Sequence, residues 1–146
     1  MPDSVEMKYL IYAEDDQDDQ EIMRDMITEV APDLTVITTD NGLDLIHYLN
    51  ALLPDEYFPC FIVLDMNMPV WNGVRTLEAL KADHHYREIP VVMFSTSNMQ
   101  KDIDLAVRLG AEEFITKPLR HIEIEEVTKK FAAYCKQLPI KRKQHA

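Results

Sequence analysis

The sequence predicts an α/β fold: one mostly parallel sheet with helices on both faces. Three observations predict it. Short apolar runs alternate with longer segments of helical periodicity five times along 146 residues. The runs are apolar throughout instead of alternating with polar residues, as strands buried on both faces are. Each run is followed by a helical segment, the crossover that a parallel neighbour requires and that is right-handed in such sheets.

Tyr9-Leu10-Ile11-Tyr12-Ala13 is the first strand and stops at Glu14-Asp15-Asp16. Ile22, Met23, Met26, Ile27 and Val30 repeat at helical spacing, and Asp16, Asp18 and Asp19 are read as caps and favourable charges at that helix's start. Leu34 to Thr38 is the second strand, between the stop Pro32-Asp33 and the start Asp40-Asn41-Gly42. Leu45, Ile46, Leu49, Leu52 and Leu53 mark the next helix, and Leu53 to Pro59 a surface loop stiffened by two prolines. Phe61-Ile62-Val63-Leu64 stops at Asp65, and Val74, Leu77 and Leu80 follow as a helix. His84-His85 fall in a helix-to-strand loop and are read as solvated. Val91-Val92-Met93-Phe94 stops at Ser95; a helix through Met99, Ile103, Ala106 and Val107 follows, with Gly110 at its C-cap. Phe114-Ile115-Thr116 stops at Lys117-Pro118, and Ile124, Val127, Phe131 and Tyr134 form the last helix.

This length supports one buried core and not two, so a single domain over 1–146 is expected, its core at about 8–134. A net charge of −11 argues against nucleic-acid and anionic-membrane partners. The basic run Lys141-Arg142-Lys143 is read as a solvated tail. No apolar run approaches the roughly 18 residues of a membrane span, and the N-terminus lacks a signal-peptide pattern, so the cytoplasm is the expected location. Cys60 and Cys135 are distant in sequence, fit no ligand spacing, and are read as two reduced, packed thiols.

In open parallel sheets, ligands bind beyond the carboxyl ends of the strands, where the winding reverses. Glu14, Asp15, Asp65, Ser95 and Lys117 all fall there. Converging carboxylates repel one another unless one is protonated or a cation binds, and oxygen donors without Cys or His select Mg²⁺ or Mn²⁺ over zinc. Asp65 is placed to attack phosphorus and form an acyl phosphate. Lys117 and the metal would balance charge on the phosphoryl oxygens, and Ser95 would hydrogen-bond one of them. Taken singly, a strand-end Asp is usually a helix cap, a Ser a turn former and a Lys-Pro pair a loop; four in order at four strand ends carry the chemical reading.

These motifs resemble those of a response-regulator receiver domain of two-component signalling (CheY-like), over Lys8 to about Tyr134. Tyr12-Ala13-Glu14-Asp15-Asp16 resembles the acidic metal-binding segment and Leu64-Asp65-Met66-Asn67-Met68-Pro69 with Gly73 the phosphoacceptor segment. Phe94-Ser95-Thr96 resembles the switch hydroxyl and Thr116-Lys117-Pro118 the lysine motif. The resemblance implies a flavodoxin-like (βα)5 fold with strand order 2-1-3-4-5. It implies that Asp65 accepts a phosphoryl group from a sensor histidine kinase or phosphotransfer protein. Asp15, Asp65 and the Asn67 backbone carbonyl would ligate Mg²⁺, with Glu14 assisting through a water. It further implies a cis Lys117-Pro118 bond and an aromatic switch at Phe114, where Phe in place of Tyr removes a hydroxyl.

Phosphorylation would then move Ser95, bury Phe114 and repack the face formed by the helix around Ile103, the strand around Ile115 and the helix around Phe131. With no effector domain after the last helix, a stand-alone receiver acting on an unknown downstream protein is expected, as messenger, relay or phosphate sink, with no enzyme activity beyond its own phosphorylation and dephosphorylation. The alternatives are a degenerate receiver serving as an interaction module, which would tolerate loss of Asp65 or Lys117, and an aspartyl-phosphate phosphatase. The latter needs a general acid where this chain has Asn67, which cannot donate a proton at neutral pH. A flavin-binding protein would need a glycine- or hydroxyl-rich phosphate loop where the acids stand.

Overall fold

The computed structural model describes residues 8–145. Five strands alternate with five helices: β1 (Tyr9–Ala13), α1 (Gln17–Val30), β2 (Thr35–Thr39), α2 (Gly42–Ala51), β3 (Ile62–Leu64), α3 (Gly73–Ala82), β4 (Val91–Ser95), α4 (Gln100–Arg108), β5 (Glu113–Thr116) and α5 (His121–Gln137). The sheet runs β2-β1-β3-β4-β5 and every pair is parallel, the class the sequence pattern predicts and the order the family resemblance implies.

Burial explains the order. The three central strands are almost wholly enclosed, whereas β2 and β5, rich in Thr and Glu, are half-buried at the edges. Because strand side chains alternate, β1 feeds two cores. Ile11 and Ala13 pack with Leu45, Leu77 and Met93 on the side of α2 and α3. Leu10 and Tyr12 pack with Met23, Phe61 and Phe131 on the side of α1 and α5. Asp16, Asn41 and Asn72 cap α1, α2 and α3 by accepting from the first-turn N–H groups, while α4 and α5 lack a side-chain cap bond. Gly110 follows the C-cap of α4 at φ 106°, the left-handed conformation that glycine adopts freely.

Three expectations need correction. The basic tail is not a solvated end. Lys141 O accepts from Phe58 N at 2.8 Å, Lys143 N donates to Glu56 O at 2.8 Å, and Lys143 Nζ donates to the last carbonyls of α2, Leu49 O, Asn50 O and Leu52 O, at 2.9, 3.1 and 2.8 Å. A cation on helix-terminal carbonyls satisfies orphan acceptors and the helix dipole together. Cys60 and Cys135 are not separate thiols: the fold packs the entry to β3 against the end of α5, and they are joined as a disulfide. The Lys117-Pro118 bond is trans, as every peptide bond is among the described residues, and trans is the lower-energy isomer even before proline. The helix expected through Ile103 and Ala106 forms as α4; within it only Ala106 is buried, while Val107 and the N-cap Met99 are exposed.

Val70, in the loop between β3 and α3, is the one described non-glycine residue with positive φ, at 65°. A β-branched side chain there is strained. Val70→Gly is expected to raise unfolding free energy by about 1 kcal/mol, less glycine's entropy cost in the unfolded chain. Urea denaturation measures it; a lower midpoint in the variant would contradict the strain.

Candidate functional site

Register places the site. Ala13 pairs with Leu64, so Glu14 and Asp65 leave neighbouring strands side by side, and Ser95 pairs with Thr116, which puts Lys117 beside the end of β4. Backbone bonds carry the ladder past the strand ends: Glu14 N to Thr39 O at 2.9 Å, Asp65 N to Ala13 O at 3.1 Å, and Lys117 N to Ser95 O at 2.7 Å. The side chains at the tips are thereby held by rigid backbone.

The carboxylates of Glu14, Asp15 and Asp65 offer oxygen atoms that all lie within 4.8 Å of one another. Lys117 Nζ reaches into the same group, donating to Glu14 Oε1, to Asp19 Oδ2 at 3.1 Å and to Asp65 Oδ2 at 3.3 Å. Glu14 is buried, and its other contacts are charge-satisfying: Tyr12 Oη donates to Oε1 and Asp16 N to Oε2, each at 3.1 Å. Burial pushes the Glu14 carboxyl above the usual carboxylate range and Asp65 adds repulsion, while the bonds from Lys117 and Asp16 N pull the other way. Burial works against the Lys117 cation, yet its carboxylate partners outweigh that and hold it above the ordinary lysine range. Burial, then the Glu14 charge, drives the Tyr12 phenol upward and keeps it a donor.

Ser95 is fully buried at the end of β4, and its Oγ accepts from Ser97 N at 3.2 Å. Ser97 Oγ donates in turn to Asp102 Oδ2 at 2.6 Å, tying the hydroxyl's loop to α4. Phe114 is half-buried against the core on the α2–α3 side. Asn67 points its side chain outward, and its backbone N–H donates to Asp65 Oδ1 at 3.3 Å. The structure thus gathers Glu14, Asp15, Asp65 and Lys117 into one cluster; Ser95 flanks it across the β4–β5 register, and Phe114 lies three residues before Lys117, half-buried against the core.

Sequence reasoning missed two residues. Asp19, read as a cap, pairs with Lys117. Gln20 is buried on α1, and its Nε2 donates to Glu14 O and, at 2.9 Å, to Asp40 Oδ1. A polar residue on the inward side of an amphipathic helix was the available signal, since a buried amide must find partners.

The loop carrying Asp65 is closed by Gly73, whose N–H donates to Met66 O at 3.0 Å. A Cβ on Gly73 would lie 2.3 Å from Asp65 O and 2.8 Å from Met66 Cα. Both obstacles are backbone. Gly73→Ala is therefore expected to cost about 2 kcal/mol as overpacking and to displace the loop after β3, readable as a lowered urea midpoint together with slower labelling at Asp65; unchanged values for both would mean the loop yields freely. Trp71, in the same loop, lies under the Arg75 guanidinium at 4.3 Å from its ring centre, and its carbonyl accepts from Gly42 N at 3.1 Å.

Two buried carboxylates, an exposed one and an amine thus stand together at the carboxyl edge of a doubly wound sheet, where such folds bind their ligands. The chain belongs to the response regulator receiver domain family, whose model matches residues 10–129. It is 41% identical over 115 residues to the protein-glutamate methylesterase/protein-glutamine glutaminase of Methanococcoides burtonii, covering 73% of this chain and 30% of that protein. It is 27% identical over 104 residues to chemotaxis protein CheY1 of Helicobacter pylori, covering 69% of this chain and 81% of the relative. The chain spans about a third of the length of the methylesterases it matches. Among solved structures, the phosphorylated cyanobacterial phytochrome response regulator RcpA superposes with a TM-score of 0.81 at 26% identity, over 90% of this chain and 98% of that one. The Mn²⁺-bound response regulator Rcp1 gives 0.80 at 20% identity, over 92% and 99%, a likeness of fold. No helix among the described residues is long and apolar enough to cross a membrane.

Proposed function

We propose that this receiver accepts a phosphoryl group on Asp65 from a phosphohistidine of a sensor histidine kinase or phosphotransfer protein. The carrying observation is the convergence of Asp65, Glu14, Asp15 and Lys117 at adjoining strand ends. An Asp65 carboxylate oxygen bonds to phosphorus while the P–N bond to the donor imidazole breaks, its electron pair leaving with the nitrogen. Lys117 Nζ, already on Asp65 and Glu14, is the group positioned to move onto the incoming phosphoryl oxygens.

The donor set fits a hard divalent cation: all oxygen, mutually repelling, with Glu14 and Asp65 buried and Asp15 exposed. Glu14, Asp15, Asp65 and the Asn67 carbonyl would hold Mg²⁺ or Mn²⁺, which when bound supplies charge neutralisation at the phosphoryl oxygens. Ser95 Oγ would exchange its Ser97 N–H partner for a phosphoryl oxygen, and with the hydroxyl gone Phe114 would settle deeper against the core. That biases the α4–β5–α5 face, where Met99 and Val107 are exposed and Lys130 pairs with Glu113, between two arrangements that a downstream protein distinguishes. The unit works as one receiver in the cytoplasm. Its chemistry ends at acceptance and loss of its own phosphoryl group, because Asn67 offers no general acid.

Incubation with Mg²⁺ and acetyl phosphate, read by intact mass, tests this. One added phosphoryl group is expected in the parent and none in Asp65→Asn. Equal labelling of both, or none in either, removes the proposal.

A further inference from the structure

The end of the sheet away from Asp65 carries chemistry of its own. Cys60, leading into β3, and Cys135, in the last turn of α5, are disulfide-bonded with their Cα atoms 5.5 Å apart, inside the ordinary range for such bonds. Both residues are buried, Cys60 at 7% exposure, but they differ in their surroundings. Cys60 lines an open cavity of about 240 Å³ together with Pro59, Ile89 and Pro90, with His85, Glu88 and Lys141 around it. Cys135 is 1% exposed and lies outside that lining.

We propose that Cys60 is a thiol–disulfide exchange site at which a low-molecular-weight thiol of the glutathione type opens the clasp on α5. The incoming thiolate sulfur bonds to Cys60 Sγ, the Cys60–Cys135 bond breaks, and its electron pair leaves with Cys135 Sγ, which takes a proton from water. A second thiolate then attacks the adduct's outer sulfur, freeing Cys60 as a thiol and releasing the small-molecule disulfide. Two external thiols are oxidised and one protein disulfide is reduced. The reading is independent of phosphoryl acceptance.

Three features suit that chemistry. Lys141 at the cavity favours an anionic thiol. Lys8 Nζ donates to Cys135 O at 3.0 Å, which sets a positive charge on the backbone of the residue whose sulfur must leave as thiolate. Tyr9 O lies 3.1 Å from Cys60 Sγ, an acceptor for the thiol once reduced. Both redox states therefore have partners.

The bond ties down a helix that other contacts keep docked. Lys8 Nζ also reaches Lys136 O and Leu138 O at 2.9 and 2.7 Å, and the rings of Phe131 and Tyr134 lie 5.6 and 5.0 Å from that of Phe61. Opening the clasp loosens the end of α5 without detaching it. In a reducing compartment, disulfides that form at all belong to the transient, reactive kind.

The test uses the full chain under native conditions. Alkylation and intact mass should find no free thiol in the oxidised protein and two after reduced glutathione. Peptide mapping of a quenched reaction should place the mixed disulfide on Cys60. Oxidised glutathione should add one adduct to Cys135→Ser and none to Cys60→Ser, circular dichroism confirming that both are folded; should a variant unfold, the mapping in the parent decides. Hydrogen exchange over 131–137 should quicken on reduction. Two free thiols in protein handled under air, an adduct mapped to Cys135, opening only in denaturant, or unchanged exchange would each overturn the proposal.

Discussion

Lys117→Met is expected to lose about 3 kcal/mol of folding stability in the presence of chelator, the scale seen when one partner of a buried ion pair is removed. The reason is the company the ammonium keeps. It bonds Glu14, Asp19 and Asp65, of which Glu14 and Asp65 are buried, and methionine would fill much of the volume while leaving that negative charge unbalanced. The loss has a pH signature. Burial has already raised the Glu14 pKa, and removing the lysine bond that restrains it raises it further. An acid with a folded pKa above its unfolded value contributes most below the ordinary carboxylate range, and that contribution falls as pH rises through the folded pKa. The variant's deficit should therefore be larger at about pH 7.5 than at about pH 5, the first well above and the second close to the ordinary carboxylate range. If the carboxylates hold Mg²⁺ as proposed, the ion should restore part of the stability by binding the folded state. Urea unfolding at both pH values, with and without Mg²⁺, measures this; a deficit independent of pH would show that the buried carboxylates are not its source.

The double variant Cys60→Ala/Cys135→Ala is expected to lose about 4 kcal/mol under non-oxidative handling, on the chain-entropy estimate for a long loop. The bond closes a separation of 75 residues, a segment that contains β3, β4 and β5. The parent should show two urea transitions depending on redox state, the lower one appearing with reductant and lying near that of the variant. Reductant should leave the variant unmoved. A parent midpoint indifferent to reductant would mean that the bond does not constrain the unfolded chain.

The sheet was legible because periodicity is local. Tyr9 to Ala13 and Val91 to Phe94 declare themselves as buried strands without reference to anything distant, and parallel connection then follows from the helices between them. Glu14, Asp65 and Lys117 were legible because topology sends every strand's carboxyl end to one edge. What escaped was pairing between residues whose meeting depends on helix docking. Cys60 and Cys135 meet only once α5 lies back across the sheet, and Asp19 meets Lys117 only once α1 has turned its first residues toward β5. The tail escaped for the same reason: nothing in Lys141-Arg142-Lys143 says that the carbonyl end of α2 will be within reach. The stripe through Met99 and Val107 located a helix without saying what covers it, since a helical stripe reports amphipathicity alone, and both residues are exposed.

Trp71 is the chain's only tryptophan, sits six positions beyond Asp65, and shares its loop with Val70 and Gly73. Indole emission from this protein consequently has a single origin. Fluorescence can follow events in the segment after β3 in unlabelled protein and in real time, with the Arg75 guanidinium stacked on the chromophore.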